Sequence, residues 1–181
     1  MILETVLLLI TGLAAVTDLR WHKIYNWTTY PGILLGILLN AGLAISAGGS
    51  IWDGLQESLA GFFLCGFILL VCFVLFQVGG GDVKLLAMVG AFLGASRGLE
   101  VLLWTFVLGA VAGVAILIWR VGCWKLIKST VRHVGYSLRL GSWLPLDEDE
   151  RKQLQPPLYL APAATLAVAI VIFHWAERLV P

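Results

Sequence analysis

The chain has 181 residues, 60% hydrophobic and 13% charged, with a formal net charge of +1. Soluble domains run at roughly 45–50% apolar and about 25% charged, so there is too little polar surface here to coat a water-soluble globule. The near-neutral balance also argues against general nucleic-acid binding.

The composition instead predicts an all-α, polytopic membrane helical bundle forming one domain over residues 1–181. Six apolar segments carry that reading, at about 1–17, 28–47, 55–77, 83–96, 99–119 and 158–176. The first has Glu4 as its only early charge, and Arg20 and Lys23 follow the apolar run. That is the reverse of a secretory signal, and it predicts an uncleaved helix with its N-terminus outside. At its end comes Asp18-Leu19-Arg20, in which Asp18 reads either as a turn residue or as a functional acid at a membrane boundary. Arg20 and Lys23 are expected to hold that acid ionised.

Between the second and third segments, residues 46–54 read as an external turn with Asp53 placed to cap the third helix. Cys65 and Cys72, seven apart, read as small apolar fillers of one helix face; Cys123 stands alone, and no spacing suggests zinc. Gly79-Gly80-Gly81 then supplies a bend ahead of Asp82, which reads as a helix N-cap, a functional acid, or both. The segment 83–96 is short: 14 residues at 1.5 Å each reach only about 21 Å, against a hydrocarbon core of about 30 Å. It is a shortened span, a segment buried against its neighbours, or a re-entrant one.

Residues 120–157 form the longest polar interval. Trp124, Ile127, Val131, Val134 and Leu138 recur at helical steps beside Lys125, Lys128, Arg132 and Arg139, predicting an amphipathic helix in the cytoplasmic headgroup region. The acids then bases after Pro145 suit a short solvated helix, which Pro156 and Pro157 end. Pro162, read as one turn into the last helix, would free a carbonyl. His22, His133 and His174 fall at segment edges and read as interfacial.

With the first segment running from outside to inside, ten of the twelve Lys and Arg residues fall inside, and only Arg97 and Arg178 outside. This matches the positive-inside bias. It also brings Asp18 and Asp82 to one membrane face without assuming it. Two close carboxylates cannot both ionise readily, so one is expected to keep its proton while the other takes one from water. That pairing hydrolyses amides without a metal.

Gly79-Gly80-Gly81-Asp82-Val83-Lys84 has the form G-x-G-D-x-K, and Asp18-Leu19-Arg20 with Lys23-Ile24 and Asn26 has the form D-x-R-x-x-K-I-x-N. These motifs, with the proline-containing stretch 157–162, resemble the type IV prepilin peptidases, a branch of the GxGD aspartic proteases. The resemblance implies a membrane aspartic endopeptidase of the bacterial inner membrane, with its active site facing the cytoplasm. It would cut the leader from prepilin or pseudopilin precursors. It further implies Asp18 and Asp82 as the catalytic pair, Gly79 and Gly81 as loop formers, Lys84, Lys23 and Asn26 as supporting residues, and no cofactor. The long members' four-cysteine zinc segment is not seen ahead of Asp18, so the peptidase-only form of tight-adherence pilus systems is expected, without N-methyl transfer. Other GxGD proteases, or a proton-coupled transporter or assembly subunit using the two acids as a relay, are the rival readings.

Overall fold

A computed structural model describes residues 2–76, 79–121 and 160–179. These form five helices: α1 (Ile2–Trp21), α2 (Asn26–Ser46), α3 (Ile51–Phe76), α4 (Gly80–Val121) and α5 (Leu160–Leu179). The expected interfacial helix within 120–157 and the acidic stretch after Pro145 lie outside the described residues, apart from the end of α4. Two compact units divide the chain, Met1–Leu108 with Tyr159–Pro181, and Gly109–Leu158. The described part of the second is the helical stretch 109–121.

Among the described residues four helices are long and apolar enough to cross a membrane: Ile2–Trp21, Asn26–Ser46, Ile51–Leu75 and Gly80–Ile116. The apolar part of α5, Leu160–Phe173, is shorter. Large apolar side chains point outward, Leu9 at 68%, Phe67 at 65% and Val74 at 72% exposure. Water would penalise such a coat at about 25 cal/mol per Å², whereas lipid does not. The protein is a multi-pass membrane helical bundle.

Helix α3 begins with a capping box. The Ser50 hydroxyl accepts from the Trp52 amide at 3.2 Å and the Asp53 carboxylate from the Ser50 amide at 3.1 Å, giving Asp53 its expected capping role. Helix α2 packs on α3, and α1 on both α2 and α5. The centre is the first arm of α4, where Leu85 to Gly94 are all buried. A helix that is apolar all round belongs inside a bundle. The short segment expected at 83–96 is thus buried against its neighbours.

That arm stops at Gly94, whose φ of 77° and ψ of −177° break the helix. Gly98 then folds back so closely that a Cβ there would stand 3.1 Å from the Gly90 Cα. The break leaves carbonyls without their usual partners in an apolar interior, where an unmade hydrogen bond is costly. Asn40 of α2 donates to the Ala91 and Phe92 carbonyls, both at 2.9 Å, and Ser58 of α3 donates to Ala91 at 2.6 Å. Asn40→Leu should therefore cost about 2–4 kcal/mol, since it orphans the Phe92 carbonyl and weakens Ala91. Ser58→Ala should cost about 1 kcal/mol, because Asn40 still reaches Ala91. Thermal unfolding in detergent checks the order; an equal loss for the two would contradict it.

At one end of the bundle Arg97 meets Glu4 of α1 at 3.6 Å. The cation assigned to the same side as the chain's N-terminus is thus found beside it. The other end carries Asp18.

Candidate active site

On α1, Leu7, Thr11, Ala14 and Asp18 recur at steps of four, three and four, and all face inward. Asp18 is therefore the last residue of a core stripe and only 9% exposed. It is not in the turn; α1 continues to Trp21. The helix closes where the His22 amide donates to the Asp18 carbonyl at 2.8 Å, with His22 in the left-handed region at φ 54°. A left-handed residue just past the last turn is a common helix stop.

Burying a carboxylate requires donors. The backbone at Ala161 of α5 and the side chain of His22 lie close enough to Asp18 to act on its carboxyl. Arg20, expected to hold the acid ionised, lies over the Trp21 ring at 5.3 Å instead, and Lys23 is exposed. The register between α1 and α5 is set by the Thr165 hydroxyl, 2.9 Å from the Thr11 carbonyl. Pro162 falls in the first turn of α5, where a helix needs no amide partner. The carbonyl that it was expected to free, four residues earlier, lies outside the described residues.

Asp82 lies in the first turn of α4. Gly80 and Gly81 are already helical, and Gly79 alone precedes the helix. The Gly79 carbonyl accepts from the Asp82 amide at 3.0 Å, and the Asp82 carboxylate lies back against Gly79. A Cβ at Gly79 would stand 2.8 Å from Asp82 Oδ2, so glycine leaves the carboxylate its room. Asp82 is thus the third residue of α4, inside its first turn, where the N-cap reading had it precede the helix. Its charge and that of Asp18 act on each other directly.

Two contacts tie the segments bearing these acids. A Cβ at Gly81 would meet Ile24 Cβ at 3.0 Å, so glycine admits the connection after α1. The Lys84 ammonium donates to Asn26 Oδ1 at 2.8 Å and lies over the Tyr30 ring at 5.1 Å. Asn26 and Tyr30, one turn apart on α2, therefore clamp the first turn of α4 to the first turn of α2. Of the expected supporting residues, Gly79, Gly81, Lys84 and Asn26 meet here, while Lys23 does not join them. Tyr30 escaped the sequence reading, whereas Ala161 fell within the stretch 157–162 that the resemblance singled out. For Tyr30 a signal existed, its position four residues after Asn26.

Among the described residues no group of three or more His, Cys, Asp or Glu side chains is arranged to hold a metal ion. Cys65 is buried and Cys72 partly so, both as free thiols.

A family model described as the type IV leader peptidase family matches residues 5–114, more than half of the chain and including both aspartates. Comparison with the curated proteins and with the solved structures gave no match.

Proposed function

The chain belongs to the type IV leader peptidase family, and from that premise we propose that this membrane peptidase is an aspartic endopeptidase using Asp18 and Asp82. Its substrates are prepilin or pseudopilin precursors, from which it removes a short basic leader ahead of the apolar helix. One observation carries the reading: two acids, sixty-four positions apart in sequence, lie within electrostatic reach of each other in an apolar bundle.

The chemistry follows from the pair. The ionised carboxylate takes a proton from water as the oxygen attacks the scissile carbonyl. The protonated carboxyl gives its proton to the carbonyl oxygen, forming a neutral tetrahedral diol. Collapse re-forms the carbonyl, breaks the C–N bond and delivers a proton to the departing amine. The two groups titrate as a unit, so rate against pH should be bell-shaped.

Six crossings, counting the two arms of α4 and α5, with the N-terminus outside, would set this pair at the cytoplasmic face of the bacterial inner membrane. A precursor anchored by its apolar helix meets the site there by diffusing in the plane. The new N-terminus is left unmethylated.

Cleavage of a synthetic precursor peptide by the protein in lipid vesicles tests the reading. Mass spectrometry should find one cut between leader and apolar helix, with an unmethylated new amine and the same rate with or without chelator. An uncut peptide, or chelator inhibition, would overturn it.

A further inference from the structure

Tyr30 belongs to none of the sequence motifs, yet its ring lies under the Lys84 ammonium at 5.1 Å while that ammonium donates to Asn26 Oδ1 at 2.8 Å. We propose that Tyr30 is a positioning residue: by holding Lys84 against Asn26 it fixes the first turn of α4, and with it the place from which Asp82 works. This rests on the aspartic reading above.

Helix α2 runs beside the buried arm of α4 and touches it at successive levels. A Cβ at Gly32 would stand 3.1 Å from Met88 Cγ, one at Gly36 would stand 2.7 Å from the Phe92 ring, and Asn40 serves the Ala91 and Phe92 carbonyls. These contacts hold the body of the arm, a turn or more beyond Asp82. The first turn is held differently. Helix ends open at little cost because few contacts secure them, and Asp82 is the third residue of α4. Two ties reach that turn from the segment that follows α1: Ile24 packs at Gly81, and Lys84 is held by Asn26 and Tyr30.

Lys84 follows Asp82 by two residues, so the two side chains leave the helix on different faces. The clamp thus grips the turn from a face other than the acid's. A cation near a helix N-terminus works against the dipole, so Lys84 does not serve the stability of α4 itself. Its value lies in the contact it makes across to α2.

The Asn26 oxygen alone would hold a lysine loosely. Asn26 is exposed, so water competes for the bond, and a four-carbon stem has many rotamers to lose. An aromatic face beneath the ammonium attracts it and keeps water from one side. Ring and amide oxygen, one turn apart on the same helix, together define a single place for the charge. The ring does this, so Tyr30→Phe keeps the device and Tyr30→Leu removes it.

A reacting group misplaced by about 1 Å can lose about a hundredfold in rate, and a loosened turn spends only part of its time misplaced. In vesicles, Tyr30→Leu should therefore lower kcat on the precursor peptide by about tenfold, with KM within about twofold. Its melting in detergent should stay close to wild type, because Gly32, Gly36 and Asn40 still hold the arm. Tyr30→Phe should cleave within about twofold of wild type. In a Lys84→Met background, Tyr30→Leu should cost no more than about a further twofold, since the ring acts through the ammonium. A wild-type kcat for Tyr30→Leu, an equal loss for Tyr30→Phe, or an undiminished loss beside Lys84→Met would overturn the inference. So would a loss that follows early melting and vanishes at temperatures where the variant is folded. The Tyr30→Phe comparison leaves Lys84 in place, so it decides even where Lys84→Met fails to insert. Asp82→Asn in the same preparation separates the two levels: inactive beside a silent Tyr30→Leu, it leaves the aspartic reading standing and sinks the positioning role; active, it sinks the aspartic reading first.

Discussion

Asp18→Asn and Asp82→Asn are each expected to abolish precursor cleavage, lowering kcat by about a thousandfold or more, with the protein still folded and inserted. Amide for carboxylate is nearly isosteric, so the packing around each side chain is kept. What is lost is the capacity to take or give a proton. Each variant should also lose the bell shape, since one of the two titrating partners is gone.

Stability should move the other way. Either substitution puts a neutral amide where an apolar bundle now holds an ionisable group, so the cost of keeping charge out of water falls. Purely structural acids would give the opposite pattern, with folding harmed and any remaining protein active. Thermal unfolding beside single-turnover cleavage separates these outcomes. A variant that melts early yet cuts at the wild-type rate would end the aspartic assignment.

The helices and both acids were legible because apolar runs of membrane length are conspicuous and a carboxylate at their edge is rare. Segments read as 28–47 and 55–77 became α2 at 26–46 and α3 at 51–76. Near 83–119 the reading was weaker for a physical reason. A buried helix and a lipid-facing one are both apolar, and the break falls at Gly94, one of twenty glycines in the chain. Nothing local distinguishes the glycine that takes positive φ. Asn40 and Ser58 stayed silent for a related reason. Each serves a carbonyl on α4, 51 or 52 residues from Asn40 and 33 from Ser58, that needs a donor only because the chain breaks there.

Within the site, Lys84 and Asn26 were legible as residue types in a motif, but their mutual bond and the Tyr30 ring beneath the ammonium are tertiary facts. The expectation that Arg20 attends Asp18 failed because helix geometry places residues two apart on different faces. Asp18 points inward, and Arg20 is exposed beside Trp21.

Gly61→Ala is expected to be among the most destabilising single-methyl additions in the bundle. A Cβ there would lie 2.6 Å from the Gly94 carbonyl carbon and 2.8 Å from that of Gly90, and would also strike the Gly90 oxygen. These are backbone atoms, so no side chain can swing aside and α3 must part from α4. Overpacking costs about 1–3 kcal/mol, occasionally more. Separation also draws Ser58, three residues along α3, away from Ala91, adding about 1–3 kcal/mol. The sum is a large share of a stability of about 5–15 kcal/mol, so abundance in the membrane should fall sharply. Gly12→Ala is the matched control, having nothing within 4 Å of its added methyl, and should be neutral or slightly stabilising. Function should suffer with the fold, because Gly90 lies eight residues beyond Asp82, about 12 Å along the same helix. Moving that arm moves the acid, so surviving Gly61→Ala protein should cleave slowly even at temperatures where it stays folded. Wild-type melting and cleavage for Gly61→Ala would mean that α3 and α4 are not in backbone contact.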